Sequence, residues 1–181
     1  GYYFDNVTNL TKLKIPYKSA LGKPTVTSAM AKLWQLDVCV ESAGLIESST
    51  QLGVAEDARV GWDQYDYRKP RAIAADLPGA YFNRPQWDES YGVFATDFRP
   101  PFKSMEIWPL TVTAPAGQKV VITVEGMAGI QAAMDVYLVD KEHLCYMDLR
   151  QQDSYSFSAV RPENEFEILV GDKAAIEQEL Q

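Results

Sequence analysis

Along this chain apolar and polar residues alternate with a period of two over short runs, the pattern of half-buried strands. In residues 33–41, Trp34, Leu36, Val38 and Val40 share one face, while Gln35, Asp37 and Cys39 share the other. Further strands are predicted over residues 80–83, 91–98 and 105–113, the last with Trp108, Leu110 and Val112 in phase. Pro109 has no amide hydrogen, which predicts that this strand lies at a sheet edge or carries a bulge. Beyond the turn at 114–117 the pattern reads as a regular meander. Val120, Ile122 and Val124 alternate in one strand, and Met134, Val136 and Leu138 in the next. Strands over 144–149, 154–160 and 165–170 complete it.

Between the runs lie small polar stretches. Residues 42–51 read as a loop, as do residues 71–79, which close on the Pro78-Gly79 turn. Short strands every 8–12 residues or so predict an all-β domain: an antiparallel, jelly-roll-like β-sandwich of about ten strands. The expected division is an irregular lead over 1–32 with a short strand at 12–15, the sandwich over 33–171, and a linker or tail over 172–181.

Residues 52–70 depart from the strand pattern. Gly53, Gly61 and Pro70 punctuate a stretch holding Glu56, Asp57, Asp63 and Asp66 together with Trp62, Tyr65 and Tyr67. Two uses of these residues can be derived. Calcium takes six to eight oxygens, often from loop carboxylates and carbonyls, so Asp57, Asp63 and Asp66 are candidate ligands of a structural calcium ion. The alternative is that the acids cap their own turns through hydrogen bonds to the backbone. The aromatics Trp62, Tyr65, Tyr67 and Trp87 lie in predicted loops. They could offer ring faces to the C–H patches of a sugar while the acids accept its hydroxyls, or they could plug the end of the sandwich, since large aromatics are mostly buried.

Catalytic constellations are sparse. The single histidine, His143, falls in a predicted turn beside Lys141 and Glu142, where a solvated side chain is expected rather than the oriented base of a nucleophilic pair. One histidine and two separated cysteines serve zinc poorly, and no P-loop or dinucleotide fingerprint is present. Paired carboxylates drawn from Asp63, Asp66, Asp88, Glu89 and Asp97 leave a hydrolase as the remaining catalytic option.

Composition narrows the partners. The net charge is −8 and the isoelectric point about 4.7, whereas nucleic acid calls for a basic face. No apolar run reaches the roughly 20 residues of a membrane span, and the residues from Gly1 show neither part of a signal peptide. The sequons at Asn6 and Asn9 would matter only in a eukaryotic secretory pathway. Cys39 and Cys145 both fall in predicted strands, open to free thiols or a cross-sheet disulfide.

The order of landmarks carries a resemblance. Trp34-Gln35-Leu36 is followed by Leu52-Gly53-Val54, Gly61-Trp62-Asp63-Gln64-Tyr65-Asp66 and Lys69-Pro70. Then come Tyr81-Phe82, Thr96-Asp97-Phe98-Arg99 and Ile107-Trp108-Pro109-Leu110, with Asp148-Leu149-Arg150, Tyr155-Ser156-Phe157 and Phe166 to Gly171 at the end. This resembles β-sandwich modules of large secreted bacterial proteins, notably from Bacteroidetes, often found near type IX secretion sorting domains. The likeness spans about residues 33–171. It implies a non-catalytic extracellular or cell-surface module serving attachment, assembly or ligand presentation, with other domains or chains of a surface assembly as partners. A carbohydrate-binding module with a glycan partner is the main alternative.

Overall fold

The computed structural model describes residues 32–70, 72, 74 and 76–181. The expected strand at 12–15 and the sequons at Asn6 and Asn9 lie outside the described residues. The strands among them are β1 (Lys32–Ser42), β2 (Leu45–Ala55), β3 (Gly79–Asn83), β4 (Val93–Phe94), β5 (Thr96–Arg99) and β6 (Met105–Thr113). After these come β7 (Lys119–Glu125), β8 (Met134–Asp140), β9 (Cys145–Asp148), β10 (Ser154–Ser158) and β11 (Glu163–Asp172), then the helix α1 (Lys173–Glu179).

The strands form a five-stranded sheet, ordered β10-β7-β1-β2-β5, and a six-stranded sheet, ordered β4-β3-β6-β11-β8-β9. All pairs are antiparallel except β2 with β5. The inward residues form one core between the sheets: Leu36, Val38 and Val40 from β1, and Val120, Ile122 and Val124 from β7, join Trp108, Leu110 and Val112 from β6. The all-β sandwich expected from the period-two pattern is therefore the observed architecture. Removing these side chains from water is its main stabilising term, at roughly 1.5–3 kcal/mol for each large apolar residue.

Four local expectations are corrected. Residues 42–51 are not a loop, because β2 begins at Leu45 and pairs with β1 across Ala43 and Gly44. Both turn residues have positive φ, 52° and 76°, as a two-residue type I′ hairpin requires. Alanine is unusual in that conformation, and the polar Glu47-Ser48-Ser49-Thr50 run hides the strand. Thr50 is buried because its hydroxyl donates to the Ala80 carbonyl at 2.6 Å.

The run 91–98 is two strands rather than one. It breaks at Ala95, so that β4 joins the six-stranded sheet and β5 the other. The expected meander is also absent. After β4 the chain changes sheet at every connection except the β8–β9 hairpin. Finally, residues 173–179 are a docked helix rather than a free tail. Ile176 is buried, and α1 packs against β11 and β8. Pro109 stands in an interior strand, but the β3 ladder on β6 ends at Tyr81–Thr111, so β6 is locally an edge there.

Candidate functional site

The stretch 52–70 leaves the end of β2 and folds over the outer face of the five-stranded sheet. There it builds a second, small core of Ala55, Ala58, Tyr65 and Phe98. Gly53 makes this possible. A Cβ at that position would stand 2.4 Å from the Trp34 carbonyl oxygen and 2.7 Å from the Phe98 ring. Tyr65 is only 1% exposed, and its hydroxyl donates to Asp57. It is a plug and offers no face to a ligand, which corrects its place in the expected aromatic platform.

The three acids proposed for calcium are engaged within the loop. Asp63 accepts the amides of Arg59 at 2.7 Å and Tyr65 at 2.8 Å. Asp66 accepts the amides of Asp63 at 3.1 Å and of Phe98 at 2.9 Å. Asp57 takes the Tyr65 hydroxyl and, at 3.2 Å, the Gln64 amide. This is the turn-capping arrangement. Among the described residues no three His, Cys, Asp or Glu side chains converge to hold a metal ion. Burial dominates the electrostatics of Asp66, raising its pKa to about 7 against the two amide bonds that favour the charged form.

The end of the stretch stitches the two sheets. The Tyr67 carbonyl accepts the Ala95 amide at 2.7 Å, Tyr67 N–H donates to Thr96 Oγ1 at 2.6 Å, and Lys69 N–H donates to the Val93 carbonyl at 2.9 Å. Residues 66–69 thus bind both strands that flank the break at Ala95. The flank formed by β4 and β5 is covered by the chain itself.

Two expected platform rings face outward. Trp62 is 46% and Tyr67 56% exposed. Trp62 is fixed by its indole N–H, which donates to the Asp66 carbonyl at 3.0 Å. It packs edge-on to Phe94 at 5.6 Å, with the Arg68 guanidinium 4.8 Å from its ring centre. Trp87 also packs edge-on to Phe94, at 5.2 Å, and is half-buried.

Two of the carboxylates considered for hydrolysis, Asp88 and Asp97, are tied to arginines. Asp97, fully buried, receives Arg84 Nε at 2.9 Å and Arg99 Nε at 3.1 Å, while Arg99 also reaches Glu106. Asp88 pairs with Arg68 at 2.5 Å.

Two clusters escaped the sequence. Lys69 lies at the floor of a cleft of about 360 Å³ walled by Pro70, Leu77, Pro78, Tyr81, Tyr91 and Val93. Its ammonium contacts Glu47 at 2.8 Å, Ser49 Oγ at 2.8 Å and Thr50 Oγ1 at 3.1 Å. Burial lowers the Lys69 pKa, opposed by Glu47. The punctuation at Pro70 and Pro78-Gly79 was the only sequence signal for this cleft, because Glu47 and Lys69 are far apart along the chain.

The second cluster includes His143, which is exposed as expected but is not free. Its Nδ1 lies 2.8 Å from buried Asp140, which also accepts the Tyr155 hydroxyl at 3.0 Å. Cys145 Sγ is 3.2 Å from that hydroxyl. Burial, followed by the Cys145 and Asp140 contacts, raises the Tyr155 pKa. No disulfide forms between Cys39 and Cys145, which are both free thiols.

In comparisons with known proteins, no family model, no curated protein and no solved structure matches this chain.

Proposed function

We propose that this domain is a non-catalytic, extracellular β-sandwich module of a larger secreted or cell-surface protein, serving attachment, assembly or ligand presentation. The observation that carries this is the division of labour within residues 52–70. The acids hold the loop through its own backbone and Tyr65 anchors it, while Trp62 and Tyr67 remain at the surface. A stiff frame presenting aromatic rings is a binding surface, since rigid aromatics give contact area at small entropic cost. The resemblance of residues 33–171 to modules of secreted bacterial proteins supports the extracellular setting.

Carbohydrate is the second reading, favoured by Trp62, which lines one surface depression with the carboxylates of Asp57 and Asp63. A glycan array run with and without calcium tests both. Binding that disappears in a Trp62→Ala, Tyr67→Ala double variant supports the sugar surface. A blank array removes carbohydrate and leaves attachment or assembly. Turnover of any bound glycan would overturn the non-catalytic assignment.

A further inference from the structure

The flank opposite the stitched one has a different character. Among the described residues β10 is the outermost strand of the five-stranded sheet and pairs only with β7. The Val124 amide donates to the Asp153 carbonyl and the Ala159 amide to the Gln118 carbonyl. Since pairs alternate along an antiparallel ladder, the backbone groups of Tyr155 and Phe157 face β7. Those of Ser154, Ser156 and Ser158 therefore point to the free edge. The Ser154 carbonyl is taken by Gln152 at 2.7 Å, which leaves the amides and carbonyls of Ser156 and Ser158 as the presented set.

Nothing in the sequence of β10 guards that edge. Natural edge strands carry lysine, proline, an inward charge or a bulge to prevent pairing. Ser154-Tyr155-Ser156-Phe157-Ser158 has none of these and is uncharged. An open groove of about 410 Å³ wraps the edge, lined by Lys119, His143, Tyr155, Ser156, Phe157 and Ser158. Its two sides differ. On the outer face the small serines leave room for Lys119, paired with Ser158 across the ladder, to lean over the edge. On the inner face stand the rings of Tyr155, Phe157 and His143, with His143 6.3 Å from Phe157. His143 is held by Asp140, and the nearby Glu142 is paired with Arg161.

From this we infer that β10 accepts an added strand from a partner chain: an extended segment alternating acidic and apolar side chains. Main-chain bonds to Ser156 and Ser158 supply the affinity, as in other strand-addition complexes. The acidic residues meet Lys119, a cation on a chain of net charge −8, and the apolar residues cover the partly exposed rings of Tyr155 and His143. The β10 edge is at the opposite end of its sheet from Trp62 and Tyr67, so a blank glycan array leaves this inference standing.

The test is fluorescence anisotropy with two labelled octapeptides, one alternating Glu and Val, the other Lys and Val. The expected result is saturable binding of the Glu peptide and at least tenfold weaker binding of the Lys peptide. In Ser156→Pro the lost amide is one that faces away from β7, so the ladder survives while peptide binding drops at least tenfold. Lys119→Glu, which touches no backbone bond, should reverse the charge preference and keeps the inference testable if the proline variant misfolds. Failure of the parent to bind the Glu peptide would overturn the inference. So would equal binding of both peptides, or undiminished binding by folded Ser156→Pro.

Discussion

The carboxylate of Asp66 accepts the amide hydrogen of Phe98, 32 residues further along the chain, at 2.9 Å. This bond joins the centre of the long loop to the edge strand of the five-stranded sheet, and its other oxygen secures the turn at Asp63. Asp66→Ala leaves both amides without this acceptor at a site only 4% exposed. Each buried donor so stranded costs about 1–3 kcal/mol. Urea unfolding of the variant should show a loss in that range or above.

The same residue gives a pH dependence. Its pKa in the folded protein is about 7, raised from 3.8 by burial. A raised carboxyl pKa means the folded state favours the protonated form. The stabilisation is complete below the unfolded value near 3.8 and is lost as pH rises through about 7. The difference in stability between the parent and Asp66→Ala should therefore shrink steadily from pH 4 to pH 8. A constant or growing difference would contradict the assignment.

Asp97 is the pivot between Arg84 and Arg99, with no exposed surface. Asp97→Ala leaves the buried Arg84 unpaired, and breaking such a pair from one side costs about 3–5 kcal/mol. Adding Arg84→Met should recover part of this loss, because Arg99 keeps Glu106. Double-mutant-cycle unfolding measures the recovery.

Gly53 allows Phe98 to lie against β2. Gly53→Ala forces a Cβ into the Trp34 carbonyl and the Phe98 ring, and overpacking of this kind costs about 1–3 kcal/mol. Tyr65 should become more accessible as the small core opens, with a rise in the exposed-tyrosine signal of second-derivative absorbance spectra.

The thiols of Cys39 and Cys145 are free. Thiol titration of the denatured, unreduced protein should count both, and adding reductant should leave the melting temperature unchanged. In the native protein Cys39 should react slowly. Burial, reinforced by Glu125, Glu47 and Glu41, raises its pKa and so depletes the reactive thiolate.

The inward faces of β1, β6, β7 and β8 were legible because each strand buries one side only, and Leu36, Val38, Trp108, Ile122 and Val136 mark it residue by residue. What alternation does not encode is the partner. Nothing in Val93 to Arg99 says that Ala95 turns the chain from one sheet into the other, since both halves are half-buried strands. The β2 strand was lost because Glu47, Ser49 and Thr50 face Lys69 and Ala80 rather than an apolar layer. The loop acids were legible as a group, but their donors are backbone amides, which every residue has. The Asp140–His143–Tyr155–Cys145 cluster unites a turn with two edge strands from different sheets, a relation that spacing along the chain does not carry.

Among the described residues one flank is covered and the other open, which gives the sandwich a direction. Residues 66–69 occupy the positions at β4 and β5 where a further strand would pair, so among the described residues only the β10 side of the five-stranded sheet is open to growth. Head-to-tail stacking of identical copies through the two edges of this sheet is therefore blocked. Any union through this sheet ends after a single partner, a closed pair rather than a fibre.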